Sequence, residues 1–199
     1  MPSKLLLVLA GGSGSRLGRV YKPLLDFGGA PIILRIISYF MQFVDEVVVS
    51  VGSKWQLREL VSILPCSVRI VTDVVTGYGP LAGIYTGLSS TVCDLTYIAP
   101  ADMPCISLST YLKLEEFVLT GYEAAVPKWP NGYVEPLNTV VISRVALKAV
   151  VKLLNAGVKK VSQLYTLLHT AFVPVHYLTS SPNTEFMNLN ELKDLRSSK

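Results

Sequence analysis

The sequence lacks a long hydrophobic run, although 50% of its 199 residues are hydrophobic. No stretch reaches the roughly 18 consecutive apolar residues that a membrane-spanning helix needs. The apolar run at residues 5–10 is too short for a typical signal peptide and leads directly into a glycine-rich turn. We therefore expect a cytoplasmic protein that makes no membrane contact.

Cysteine is scarce, and so is any block of like charge. Cys66, Cys93 and Cys105 form no C-x-x-C pair and have no histidine nearby, which argues against a disulfide framework and against a zinc site. We expect them to be reduced core thiols. The net charge is +4 and no long basic run occurs, a balance that suits small anionic ligands better than duplex nucleic acid.

Short apolar runs alternate with segments of helical periodicity, and most of the runs are apolar on both faces. This pattern predicts an α/β fold of the Rossmann type, with a mostly parallel sheet and helices on both faces, in a single domain over residues 1–199. The expected strands are residues 4–10, 46–51, 68–71, 95–99, 124–127 and 139–142. The expected helices are residues 32–43, 54–64, 81–89, 108–119 and 145–155.

A glycine-rich loop follows the first expected strand, where ligands of such sheets bind. Residues 9–18 contain four glycines, which let a backbone approach a phosphate and present N–H groups to it. A P-loop is excluded because the first downstream lysine is Lys22, and a dinucleotide fingerprint is excluded because Leu17 stands where its third glycine belongs. Arg16 and Lys22 could neutralise a triphosphate, or they could be surface charges beside an ordinary tight turn.

Asp102 follows a fully apolar strand, where a carboxylate has no packing role. Such a position fits a Mg²⁺ ligand, because Mg²⁺ prefers one or two carboxylates together with substrate phosphates. The alternative is that Asp102 or Ser107 caps the next helix. Gly79 and Pro80 predict a helix start whose first N–H groups could also face a ligand.

Asn188 and Asn190 are two residues apart, so both would face one side of an extended segment. They could donate hydrogen bonds to a ligand, or they could be turn formers before a helix.

Together these segments resemble the molybdenum cofactor guanylyltransferases of the nucleotidyltransferase superfamily. The motifs that carry the resemblance are Leu-Ala-Gly-Gly-x-x-x-Arg-Leu-Gly-x-x-x-Lys-Pro-Leu-Leu at 9–25, Gly-x-Pro-Ile at 29–32, Gly-Pro-Leu-Ala-Gly-Ile at 79–84, Pro-Ala-Asp-Met-Pro at 100–104, Glu-Pro-Leu at 135–137, and Phe-Met-Asn-Leu-Asn at 186–190. They span nearly the whole chain in order.

The resemblance implies a Mg²⁺-dependent transfer of GMP from GTP to molybdopterin carrying molybdenum, with release of pyrophosphate. It also implies that proteins which carry or accept this cofactor could be its partners. By matching position, Leu9, Ala10, Gly11 and Gly12 would hold the nucleotide, Lys22 its phosphates, Asp73 the nucleoside end and Asp102 the metal. Asn188 and Asn190 would lie on the pterin side. Arg16, Lys22 and Asp102 would be the catalytic residues.

Two positions depart from the family pattern. Tyr21 stands where an aspartate usually precedes the lysine, and Gly52, Ser53 and Lys54 replace the usual Asn-Arg after the second strand.

A phosphate monoester acceptor needs no general base, since its second pKa is about 6. Other readings remain open: the same chemistry on cobinamide phosphate, a molybdopterin cytidylyltransferase, a non-catalytic nucleotide sensor, or a nicotinamide-dependent oxidoreductase. The missing third glycine argues against the oxidoreductase.

Overall fold

A seven-stranded sheet organises the part of the chain that the computed structural model describes, residues 1–12 and 21–189. Its strands are β1 (Lys4–Leu9), β2 (Glu46–Val51), β3 (Arg69–Thr72), β4 (Leu95–Pro100), β5 (Ala124–Lys128), β6 (Thr139–Ile142) and β7 (Thr170–Pro174). They lie in the order β3-β2-β1-β4-β6-β5-β7. Only β6 runs antiparallel to its neighbours, β4 and β5.

Helices cover both faces of this sheet, as the sequence predicts. They are α1 (Ile32–Phe40), α2 (Lys54–Val61), α3 (Pro80–Ser89), α4 (Leu108–Leu119), α5 (Ser143–Asn155), α6 (Val175–Leu178) and α7 (Pro182–Glu185). Two 3₁₀ segments, Lys22–Leu24 and Val161–Thr166, complete the described elements.

The two faces of β1 belong to two separate apolar layers, because successive side chains of a strand point in opposite directions. Leu6 and Val8 pack with the apolar residues of α1 and α4, whereas Leu5 and Leu7 pack with those of α3 and α5. All four side chains are fully buried. A strand that is apolar on both faces therefore sits at the centre of the sheet, between two layers of helices.

The sequence-based element bounds hold to within three residues, and the main omission lies after residue 155. There β7 is missed because its exposed positions, Phe172 and Pro174, are apolar, so the sequence lacks the polar–apolar alternation of a half-exposed strand. Helix α1 ends at Phe40 rather than at 43, and α2 ends at Val61 rather than at 64.

One expectation about the thiols was wrong, since Cys66 is exposed, whereas Cys93 and Cys105 are partly buried. Among residues 1–12 and 21–189, no helix is long and apolar enough to cross a membrane.

The parallel strands β1, β2, β3 and β4 end at one edge of the sheet. The segments that follow them therefore meet there: residues 10–12 after β1, Gly52 after β2, Asp73 after β3, and residues 101–102 after β4. Ligands of open α/β sheets bind at such an edge.

Candidate active site

A cleft of about 490 Å³ opens at this edge, a volume typical of small-molecule sites. It gathers residues from four strand ends and from the start of α3. Of the residues that the sequence singles out, it is lined by Leu9, Ala10, Gly11, Gly12, Lys22, Asp73 and Asp102.

Gly11 and Gly12 are the described part of the glycine-rich turn that the sequence predicts, and they are hereafter called the glycine turn. They lie directly against Gly52. A Cβ atom on Gly11 would come within 3.1 Å of the Gly52 nitrogen, and one on Gly52 within 3.0 Å of the Gly11 carbonyl oxygen. Both distances are shorter than ordinary van der Waals contact. Glycine at position 52, a departure from the family pattern, is therefore what allows these two backbone segments to touch.

Gln56 in α2 connects the same two segments through its side-chain amide. The Gly52 N–H donates to its Oε1 at 2.8 Å, and its Nε2 donates to the Gly12 carbonyl at 3.0 Å. Sequence reasoning did not identify this residue. The signal that could have found it is Ser53-Lys54-Trp55-Gln56, a capping-box pattern directly after a strand.

Tyr21, the other departure, contacts the backbone just before the glycine turn. Its hydroxyl donates to the Ala10 carbonyl at 2.9 Å, and its buried ring meets Trp55 edge-on with centroids 5.4 Å apart. Burial raises the pKa of Tyr21, and the negative charge of Glu59 raises it further, so the hydroxyl remains a donor at neutral pH. A structural role thus replaces the aspartate that the family usually has here.

Asp73, which follows β3, lines the cleft beside Gly11 and pairs with Ser50 at the end of β2. The Ser50 hydroxyl donates to Oδ1 of Asp73. Burial raises the pKa of this carboxyl above its usual value, and the bond from Ser50 lowers it in part. Sequence reasoning missed Ser50, because its role depends on a neighbouring strand.

Lys22 and Asp102 form an ion pair, with Nζ 3.2 Å from Oδ2 and the side chains 19% and 30% exposed. The alternative role of Asp102 as a helix cap is not what the structure shows: α4 is capped by Ser107, whose hydroxyl accepts from the Thr110 N–H at 3.3 Å. The Asp102 carboxylate therefore faces the cleft beside a cation.

The residues are compatible with a hard divalent cation whose remaining ligands come from substrate. The described part of the chain holds no group of three or more His, Cys, Asp or Glu side chains that could enclose a metal. The Asp102 carboxylate at the cleft suits Mg²⁺, which keeps several waters and takes oxygen ligands from phosphates. The donor set fits this ion better than it fits zinc.

The remaining predicted site residues are placed less completely. Asn188 is half-buried and does not line the cleft. Its neighbour Leu189 donates its N–H to the Asp102 carbonyl at 3.0 Å, so the segment passes beside that residue. Arg16 and Asn190 lie outside the described residues. Glycine at position 79, which caps α3 ahead of Pro80 with φ of +56°, also lines the cleft, as its motif predicts.

Comparison with known proteins matches this chain to a family model and to curated relatives that have the same description. A family model described as "MobA-like NTP transferase domain" matches residues 6–170. The chain is 31% identical to a "Probable molybdenum cofactor guanylyltransferase" of Methanosarcina mazei, over 95% of this chain and 87% of that protein. It is 32% identical to a protein of the same description from Pyrococcus furiosus, over 95% of this chain and 93% of that one.

Among solved structures, molybdopterin-guanine dinucleotide biosynthesis protein A from Archaeoglobus fulgidus is similar, with a TM-score of 0.80. The match covers 98% of this chain and 96% of that one, at 24% identity. At this identity the likeness shows the fold alone.

Proposed function

The chain belongs to the MobA-like NTP transferase domain family, and from that membership we propose that it transfers GMP from GTP to molybdopterin carrying molybdenum. Its enzyme class, nucleotidyltransferase, follows from the family and from the curated relatives. The base, the acceptor, the metal and the roles of individual residues are the proposed part.

The observation that carries the proposal is the meeting of the glycine turn, the cation of Lys22 and the carboxylate of Asp102 in one cleft. A triphosphate needs close backbone approach and positive charge, and a metal-bridged phosphate needs a carboxylate nearby. In this proposal Leu9, Ala10, Gly11 and Gly12 hold the nucleotide. Lys22 contacts its phosphates, and Asp73 faces the nucleoside end.

The reaction needs positioning more than proton transfer. A phosphate oxygen of the acceptor attacks the α-phosphorus of GTP, the bond from that phosphorus to the bridging oxygen breaks, and pyrophosphate leaves with the electron pair. The acceptor phosphate is already largely ionised at neutral pH, so no base has to remove a proton. Lys22 stabilises the negative charge that develops on the leaving group, and Arg16 has the same proposed role.

Asp102 is the residue that would hold Mg²⁺. When bound, the ion supplies neutralisation of phosphate charge during the displacement. The Lys22 ammonium, which lies beside Asp102 at the cleft, would contact the phosphate oxygens.

The proposed acceptor rests on the relatives' descriptions and on the segment at 186–190, whose motif resembles the family's pterin side. Asn188 and Asn190 are proposed to contact that acceptor. Residues 186–189 run past Asp102, as the Leu189 contact shows, so an acceptor held beside Asn188 would lie near Asp102.

The test is turnover of GTP and CTP labelled at the α-phosphate, with molybdopterin carrying molybdenum or with cobinamide phosphate as acceptor, read as pyrophosphate release. We expect labelled product from GTP and the molybdopterin acceptor. Preference for CTP would indicate a cytidylyltransferase, and preference for cobinamide phosphate would change the acceptor. Nucleotide binding without turnover on either acceptor would support the sensor alternative.

A further inference from the structure

The geometry points to Gln56 as a positioning residue that holds the glycine turn in the form that binds the nucleotide. This inference rests on the proposed function, because it assigns Gln56 to the same cleft. Gln56 does not line the cleft; it acts through the backbone of Gly12 and Gly52, the first of which belongs to the glycine turn.

The position of Gln56 is fixed from several sides. The residue is only 4% exposed, and its backbone N–H donates to the hydroxyl of the helix cap, Ser53, at 3.3 Å. A buried side chain at the first turn of a helix has few alternative rotamers. Its amide group is therefore held in place before any ligand arrives.

The two partners of this amide require one acceptor and one donor. The Gly52 N–H can only donate and the Gly12 carbonyl can only accept, so Oε1 must face Gly52 and Nε2 must face Gly12. Glutamine provides both groups on one side chain of this length. Glutamate at neutral pH provides acceptors only.

An ordinary capping box does not explain both bonds. In a capping box the third helical residue accepts from the N–H of the cap itself, which here would be Ser53. Gln56 instead accepts from the residue before the cap and uses its amino group on Gly12, 44 residues away along the chain. A cap needs no donor, so the bond to Gly12 serves the glycine turn.

The consequence for an anion is electrostatic as well as geometric. A loop that binds phosphate offers N–H groups, and a carbonyl oxygen that faced the phosphate would repel it. The hydrogen bond from Nε2 holds the Gly12 carbonyl oxygen toward Gln56, so this oxygen does not face the phosphate. The turn is also exposed, so without Gln56 its orientation would depend on water.

The test compares Gln56→Glu, Gln56→Met and a matched surface control, Gln163→Met, which lies on an exposed position of a 3₁₀ segment. GTP affinity is measured by calorimetry without acceptor, and amide hydrogen exchange is followed for residues 9–12. We expect both Gln56 variants to bind GTP about tenfold more weakly, roughly the loss of one net hydrogen bond, 1.4 kcal/mol. Exchange at residues 9–12 should accelerate in both, and Gln163→Met should match the unmodified protein.

Gln56→Glu separates the two possible roles, because it keeps the acceptor for Gly52 and with it the support of α2. If Gln56 were only a cap, this variant would bind GTP as the unmodified protein does, and the inference would be wrong. The added charge is controlled with salt: a deficit that disappears at 0.5 M NaCl would come from repulsion of the triphosphate and would also overturn it.

Failure of this inference can be distinguished from failure of the proposed function. If the unmodified protein binds no GTP, the proposed function fails, while hydrogen exchange at residues 9–12 still shows whether Gln56 holds the turn. If Gln56→Met does not fold, Gln56→Glu decides.

Discussion

The ammonium of Lys22 lies 3.2 Å from a carboxylate oxygen of Asp102, although 80 residues separate the two along the chain. The 3₁₀ segment after the glycine turn supplies one partner and the loop after β4 supplies the other. Ion pairs that are this exposed usually contribute little to stability. Two opposite charges at the edge of the cleft are therefore better explained by what they would bind than by what they hold together.

Removing the Asp102 carboxylate should abolish turnover without unfolding the protein. We expect Asp102→Ala to lower kcat/KM by at least about 10³-fold, because the proposed metal ligand is lost while no core packing changes. Its thermal midpoint should stay close to that of the unmodified protein. Glu116→Ala, which removes an exposed carboxylate from α4, is the control. Activity in Asp102→Ala equal to that of the control would exclude the metal role.

Removing the cation tests the other half of the pair. Lys22→Ala should lower kcat/KM by about 10²–10³-fold, the usual effect of losing a preorganised charge contact. Arg16→Ala should have an effect of the same order. Lys148→Ala removes an exposed lysine from α5 and should leave the rate unchanged. If Lys22→Ala and Arg16→Ala behave like Lys148→Ala, both are ordinary surface charges.

The sheet could be predicted well from the sequence because its central strands are apolar on both faces and are separated by helical segments. The antiparallel direction of β6 was not predictable in this way, because the pattern of apolar residues in a short strand does not depend on the direction in which the strand runs. Strand β7 was missed because Phe172, which is exposed between the buried Ala171 and Val173, is itself apolar, so the sequence shows no polar–apolar alternation there.

The location of cleft-lining residues was predictable where a motif follows a strand end, as at the glycine turn, Lys22 and Asp102; their roles stay predictions. Ser50 and Gln56 were not predictable, because their partners lie on other elements: Asp73 after β3 and Gly12 after β1. A local sequence pattern does not show which distant segments contact each other. The sequence did indicate that such contacts would occur at the carboxyl ends of the parallel strands.

Gly87 provides a prediction about packing alone. A Cβ atom at this position in α3 would overlap the buried side chain of Leu7 in β1. Alanine normally favours a helix over glycine by about 1 kcal/mol. We nevertheless expect Gly87→Ala to lower the free energy of unfolding by about 1–3 kcal/mol in urea titrations, because the core is overpacked. Ser89→Ala, at an exposed position of the same helix, should be neutral or slightly stabilising; a stabilised Gly87→Ala would contradict the close contact.

The raised pKa of Asp73 predicts how stability depends on pH. Burial makes the folded protein hold this proton more tightly than the unfolded chain does, so ionisation costs stability as pH rises above the unfolded pKa of about 4. Asp73→Asn removes that cost and can still accept from Ser50. Its advantage in the free energy of unfolding should appear above about pH 4 and persist at pH 7. Equal stabilities throughout this range would show that the carboxylate carries no burial penalty.

The same carboxylate should contribute to the choice of base. A site that reads a base with buried polar groups rejects the wrong one by up to about 10⁴-fold, because mismatched groups stay unpaired. Asp73 and the backbone near Leu9 both line the cleft, whereas Gly52 offers no side chain there. We therefore expect kcat/KM to favour GTP over ATP and CTP, by less than this limit. Asp73→Asn should reduce the preference by about 10-fold or more while Ser50 remains bonded to position 73. If the preference for GTP is unchanged in Asp73→Asn, Asp73 does not read the base; if CTP is the preferred substrate of the unmodified enzyme, the proposed guanine specificity is wrong.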